Sequence, residues 1–297
     1  MLGIGMQSPG VMIKPNVPMW MCKQDVKVLK CDGVGDYAWT PSFSDLWSLD
    51  AITISCWINF TAAPGAGEAI MHKGGIGGVS NHIAFLTESS SGQTVVPTLW
   101  NVESDGSSDK ASVNTFSPGG VSGEPNLNKW HHLLVRWDKD TDGGHANSIT
   151  SGLGGSNDLT DIDIVGGGAT YTERDDAGNS AHWHSSGTVD PENARLIFGG
   201  FVGNAGFGYM QFTGVTIQVA DFAIYPRYLS DDEVYSLKAG IDPNDVAGGL
   251  PKHLWTFNNT GSDTGKNSGA KTFTLVNAVF GAPSDTDMAN IERLANL

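Results

Sequence analysis

Apolar and polar residues alternate along much of this chain. Between positions 52 and 60, Ile52, Ile54, Cys56, Ile58 and Phe60 fall on one face, and Thr53, Ser55, Trp57 and Asn59 fall between them. A period of two is the signature of a strand with one face on a core. Residues 25–31 alternate in the same way, and further strands are predicted at 68–73, 82–88, 94–102, 130–137, 194–199 and 209–226. Clusters of Gly, Ser, Asn and Asp separate them, and these residues make turns. Short strands at roughly ten- to fifteen-residue spacing predict an all-β fold, an antiparallel two-sheet jelly-roll sandwich. Trp57 and Trp130 lie inside strands and are read as core anchors.

Two helices interrupt this pattern. In 229–240, Ser230 and Glu233 form a capping box and Gly240 marks the stop. At 284–297, Ser284 and Asp287 frame a start, and Met288, Ile291 and Leu294 form one stripe. That stripe needs a surface, either the sandwich or a partner chain.

The chain therefore divides into an extended arm at 1–24, a jelly roll at 25–283 and a C-terminal helix at 284–297. The arm carries Met1, Met6, Met12, Met19 and Met21 with Pro9, Pro15 and Pro18, and it shows no period. It reads as a strap over its own domain or as an arm that docks on a neighbouring subunit. Met suits irregular grooves, and Pro limits the entropy lost on docking. A loop-rich insertion at about 138–193 holds recurrent glycines and no strong period, the pattern of functional loops.

Composition narrows the partners. Charged residues make up 16% of the chain, and Gly 39 and Pro 13 are abundant. Coiled coils and acidic disordered tails are excluded. A formal charge of −15 repels phosphate backbones, so nucleic acid is not an expected partner. The same charge attracts Ca²⁺. Cys22, Cys31 and Cys56 are too few for a disulfide framework, and no CxxC pair exists for zinc. Cys56 reads as a small buried hydrophobe, and folding in a reducing compartment is expected. The N-terminal residues lack a basic region followed by an apolar run, and no apolar stretch of membrane-spanning length occurs. Either a signal was removed before numbering or the protein acts without Sec export, and the retained Met1 favours the second; membrane insertion is not expected.

Four segments carry a family resemblance. Val28-Leu-Lys-Cys-Asp-Gly-Val-Gly-Asp-Tyr37 resembles an opening strand and turn, with Cys31 in place of the usual Phe. Ile52-Thr-Ile-Ser-Cys-Trp-Ile58 and Trp130-His-His-Leu-Leu-Val-Arg-Trp137 are similar to two core strands. Residues 212–233, with Ile224-Tyr-Pro-Arg-Tyr-Leu-Ser230 and Glu233, resemble the closing strand and capped helix. The family is that of the concanavalin A-like, laminin-G-like and pentraxin-like jelly rolls, and the resemblance covers about 25–280. Leu254-Trp-Thr-Phe257 and Lys271-Thr-Phe-Thr-Leu-Val-Asn-Ala278 are similar to the family's hairpin, which usually precedes the opening strand. Here it follows the helix. Either the chain closes its sheet edges differently or the hairpin completes another subunit.

Chemistry-bearing motifs are sparse. The sequence has no Gly-x-Ser-x-Gly elbow, HExxH, P-loop or dinucleotide fingerprint. It also lacks the Glu-x-Asp-x-x-Glu run of related glucanases, in which strand alternation aims paired carboxylates into one cleft. No catalytic residues are assigned. Asp138, Asp140 and Asp142, followed by Gly143, have the spacing of a Ca²⁺ loop, but Ile149 at position 12 excludes an EF-hand. The run also reads as a polar hairpin turn. His182 and His184 flank Trp183 in the loop-rich region, where histidines are usually neither ligands nor a patch, with a metal pair or an exposed patch as the alternatives, and His131 and His132 read as structural. For carbohydrate, the resemblance points to Trp100, Tyr171 and Trp183 as stacking surfaces, with Asn101 as a hydroxyl partner.

The expected function is a non-enzymatic virion structural protein: a bacteriophage capsid decoration or appendage protein with a lectin-like jelly roll. Its termini would be assembly devices. Its partners would be capsid or other particle proteins, further copies of itself and a cell-surface glycan, and its location the virion surface after assembly in the host cytoplasm. The alternative is a Ca²⁺-dependent carbohydrate-binding module at a cell surface or outside the cell, and a polysaccharide hydrolase is third.

Overall fold

The computed structural model describes residues 27–33, 35–41, 43, 46, 49, 51–62, 69–74, 82–87, 95–102, 108–112, 127–128, 130–138, 150–154, 164–165, 195–202, 210–212, 215–238, 241–266 and 271–284. The arm at 1–24, the helix expected after Ser284 and most of 138–193 lie outside the described residues.

In chain order the strands begin β1 (Val28–Cys31), β2 (Tyr37–Trp39), β3 (Ala51–Phe60), β4 (Ala69–Gly74), β5 (His82–Thr87) and β6 (Val95–Val102). Next come β7 (Ser108–Ser112), β8 (Trp130–Asp138), β9 (Thr150–Gly154), β10 (Ile164–Val165), β11 (Leu196–Phe198) and β12 (Gly200–Val202). Then follow β13 (Met210–Phe212), β14 (Ile217–Tyr225), helix α1 (Asp231–Lys238), β15 (His253–Trp255), β16 (Thr274–Val276) and β17 (Val279–Gly281).

Two antiparallel sheets form the sandwich. An eight-stranded sheet runs β10-β9-β8-β3-β14-β1-β17, with β15 also on β14. A seven-stranded sheet runs β16-β2-β11-β4-β5-β6-β7, and β12 and β13 pair apart from both. Leu29, Cys31, Ile54, Cys56, Ile58, Leu133, Ile217 and Val219 face inward from the first sheet, against Ala38, Met71, Leu196 and Phe198 of the second. Phe198 meets Phe222 edge-on at 5.1 Å and Phe257 at 5.8 Å, and Trp255 meets Phe273 at 5.3 Å. Such tilted aromatic pairs add attraction beyond their buried area.

Nine residues of β3 are buried, so both of its faces are covered. Trp57 and Trp130 are buried, as the sequence implied. They stand on the outer side of the eight-stranded sheet, however, because they alternate with the inward Cys56, Ile58 and Leu133.

The strand expected at 209–226 is two strands. Its first part, β13, pairs with β12, whereas β14 pairs with β1, β3 and β15. Different partners pull the two parts in different directions. Within β14 a register shift lies between Ala220 and Ala223, and Asp221 there has φ 47°. This bulge lets β1 hold Ile217–Val219 while β15 holds Phe222–Ile224 on the same edge.

The capping box forms as its spacing predicts. Ser230 N–H donates to Glu233 Oε2 at 2.8 Å, and Glu233 N–H donates to Ser230 Oγ at 3.4 Å. Arg227 donates to Glu233 at 2.9 Å and to the Ala247 carbonyl at 2.8 Å. The Arg227 hydrogen bond holds the Glu233 carboxyl below its ordinary value, against a smaller opposing effect of burial. A depressed carboxyl stabilises the fold above its unfolded pKa, and that contribution disappears as pH falls through the folded value. Leu229, Val234, Leu237 and Val246 pack on Leu134, Ala223, Tyr225 and Leu254, so α1 covers one end of the outer face. The Arg136 guanidinium donates to the Leu229 carbonyl at 2.6 Å and pairs with Asp231.

The segment expected to form a hairpin does not pair with itself: β15 joins β14, and β16 and β17 close the two sheets from within the chain. β17 pairs with β1, setting Gly281 opposite Val28, and β16 pairs with β2, setting Thr274 opposite Trp39. The segment lies beside the opening strands although it comes after the helix.

Candidate functional site

Ser55–His132 and His253–Asp263 each join a histidine to a partner of a catalytic type, and both pairs are internal. Ser55 Oγ lies 2.8 Å from His132 Nε2, with the Trp57 ring 5.1 Å from the imidazole. Ser55 and His132 each retain 3% exposure. A nucleophile must reach a substrate, and this pair instead ties β3 to β8. His253 Nδ1 lies 2.6 Å from Asp263 Oδ2, and both side chains are fully buried. A carboxylate only accepts, so the imidazole donates. Asp263 Oδ1 also accepts from the backbone N–H groups of Leu254 at 3.0 Å and Gly265 at 2.9 Å.

One carboxyl pair stands at the turn between β1 and β2. Asp36 Oδ2 accepts the Asp32 backbone N–H at 3.0 Å. Burial, followed by a hydrogen bond with the Asp32 carboxyl, raises the Asp36 carboxyl above its ordinary value. Burial and then the neighbouring Asp36 and Asp32 push the Cys31 thiol up to about 12, which keeps it inert as a nucleophile. Glycosidase carboxyls stand about 5 Å or more apart with the sugar between them. Asp32 and Asp36 touch each other and leave no such gap.

The outer face of the seven-stranded sheet offers aromatic surface. The half-buried Arg195 guanidinium stacks over the Trp39 ring at 4.2 Å from its centre. Sequence reasoning missed this pair, because β2 has three residues and too little length to show a period. Four strands pair successively to set Gly74, His82, Trp100 and Lys110 in one row. The adjacent row sets Trp39, Ile197, His72, Ala84, Thr98 and Ser112 in line. Both rows alternate with the inward Ala38, Met71 and Phe198, so they belong to the face turned away from the core. Ile197 and His72 are buried in the middle of that face.

Of the sequence candidates, Trp100 and Asn101 are neighbours on β6, which alternation assigns to opposite faces. Asn101 pairs instead with Asp109 of β7. Asp138 ends β8 opposite Ala51. Asp140, Asp142, Tyr171 and Trp183 lie outside the described residues. Among the described residues, no three His, Cys, Asp or Glu side chains converge on a metal position. No helix among them is long and apolar enough to cross a membrane.

No curated protein sequence matches the chain. Among solved structures it is similar to a Bacteroides ovatus protein to which carbohydrate binding is ascribed, at 11% identity and TM-score 0.44, over 86% of this chain and 60% of that one. It is similar to the enzymatically active domain of tailspike protein 2 of bacteriophage CBA120, at 13% identity and TM-score 0.36, over 66% and 24%. It is also similar to the heptameric SAP-like pentraxin of Limulus polyphemus, at 13% identity and TM-score 0.42, over 88% and 98%. The chain thus spans less than two thirds of the length of the first two. Residues 32–150, from the opening turn through β8, match the family model described as the concanavalin A-like lectin/glucanases superfamily.

Proposed function

We propose that this jelly roll binds carbohydrate without hydrolysing it, through the outer face of its seven-stranded sheet. The observation that carries this reading is the row His82–Trp100–Lys110, with Trp39 and Arg195 on the same face. An aromatic plane offers a sugar ring apolar contact, and flanking donors satisfy its hydroxyls. The lectin/glucanase description of the matching family model supports the ligand class. The mutual contact of Asp32 and Asp36 and the burial of both histidine pairs support a non-catalytic role. Ca²⁺ held by Asp138, Asp140 and Asp142 is part of the proposal, on their spacing.

A glycan array with and without chelator tests this. The full chain is expected to bind a defined set of glycans, and Trp100→Ala is expected to weaken binding about tenfold with the melting temperature unchanged. Binding lost to chelator supports the Ca²⁺ site, and binding indifferent to chelator removes it. No binding under either condition removes the whole reading.

The chain's two ends favour a finer reading, in which this module is displayed on a bacteriophage virion as a decoration or appendage protein. The Met- and Pro-rich 1–24 and the apolar stripe at 284–297 support it. Light scattering on the full chain and on a variant lacking 1–24 is expected to show a closed oligomer that dissociates without the arm. The same monomer mass in both would count against assembly through that segment.

A further inference from the structure

The outer face of the seven-stranded sheet carries charge of one sign. The strands of this sheet contain a single acidic residue, Asp109. It pairs with Asn101, and alternation sets both on the side opposite Trp100 and Lys110. The strands therefore bring no carboxylate to the outer face, whereas His82 and Lys110 fall in one row there. The chain has 32 Asp and Glu against 17 Lys and Arg, so a strand face without acid runs against its composition.

Arg195 adds a restrained cation to that row. Leu196 pairs with Lys73, so Arg195, one residue earlier, stands in register with Gly74, one residue later. The row then reads Arg195, Gly74, His82, Trp100 and Lys110 across five neighbouring strands, β11 to β7. The Arg195 guanidinium lies over Trp39, and this stacking limits its freedom before any ligand arrives. Among the described residues no carboxylate pairs with it. Gly74 puts no side chain between Arg195 and His82. Those two residues stand two strand spacings apart, about 10 Å, and Trp100 lies one spacing further on.

We propose that this face selects sugars that carry a carboxylate, and that Arg195 receives the carboxylate; the proposal rests on the carbohydrate-binding reading above. A guanidinium fork matches two carboxylate oxygens at once. The glycine leaves the sheet open for a ring beside Arg195, and Trp100 is placed to stack the next residue of the glycan. Lys110 continues the positive charge along the same line. A formal charge of −15 repels an acidic glycan from the rest of the chain. The cations of this face therefore decide whether such a ligand binds, and a neutral sugar has only the aromatic surface to use.

Calorimetric titration of the full chain with two matched pairs tests this: a galacturonate oligomer against its methyl ester, and sialyllactose against lactose. The acid of at least one pair is expected to bind about tenfold tighter than its neutral counterpart. The pair that shows the preference names the source of the carboxylate. Arg195→Gln is expected to cut the preference below about twofold, and added salt to narrow it. Trp100→Ala is expected to weaken acid and neutral ligand alike and so to leave the preference standing. Equal binding within both pairs, or a preference that survives Arg195→Gln, would overturn the proposal and leave the carbohydrate-binding reading in place. So would binding of neutral glycans on the array with none of the acids bound. Absence of binding to every glycan would remove both. Should Arg195→Gln fail to fold, Arg195→Lys carries the comparison. It keeps the charge and loses the fork, and a preference equal to that of the unmodified protein would overturn the role given to Arg195.

Discussion

Replacing Asp263 with alanine is expected to cost about 3–5 kcal/mol of folding stability. It should appear as a lower urea midpoint with an unchanged slope. The carboxylate is fully buried and accepts three hydrogen bonds, from His253 Nδ1 at 2.6 Å and from the backbone N–H groups of Leu254 and Gly265 at 3.0 and 2.9 Å. Alanine leaves these donors inside the protein with a cavity where the acceptor stood. The imidazole is also a packing element, near-parallel to Trp255 at 5.5 Å and tilted against Phe43 at 5.0 Å. Asp263→Asn should cost about half as much. Its carbonyl oxygen still serves the two backbone donors, and the imidazole can move its proton to Nε2 and accept from the new amide. Equal losses in the two variants would mean that charge, rather than the number of acceptors, holds this turn together.

Gly199→Ala is expected to cost about 2–4 kcal/mol. Gly199 has φ +77°, which a side chain disfavours, and an added Cβ would stand 2.5 Å from the Asp36 carbonyl oxygen and 3.2 Å from Cys31 Sγ. The oxygen belongs to backbone and cannot rotate aside. The Gly199 N–H is also bonded to the Ile70 carbonyl at 3.0 Å, so the residue is held from the other side. Gly33→Ala is the control, since a Cβ there meets nothing within 4 Å. It should change stability by less than about 0.5 kcal/mol. Equal midpoints for the two variants would show that the β1–β2 turn yields easily.

The long strands were legible in the sequence because each carries several turns of the two-residue period. The expected 52–60 and 130–137 are β3 and β8 to within a residue. The short strands β2, β15 and β16 have three residues each, too few to show any period. Trp57 illustrates a different limit. Its strand is apolar enough on both sides to be buried throughout, and alternation alone does not say which side meets the second sheet. The closure by β16 and β17 depends on partners far away in the chain, and no local pattern encodes it. For the site, Trp100 could be named from its residue type, but its neighbours His82 and Lys110 come from register. The Asp140, Asp142, Tyr171 and Trp183 candidates fall outside the described residues.

The pairing of Val28 with Gly281 also governs how this protein is made. A ribosome delivers β1 and β2 early, and their edge partners β17 and β16 only about 250 residues later. Until then β1 and β2 are themselves sheet edges, their outer backbone groups uncovered and able to pair with the same edge of a neighbouring nascent chain on a polysome. Messages truncated before codon 274 would therefore yield aggregates rather than a smaller soluble sandwich, and a chaperone that shields strand edges would raise the yield of the full-length protein.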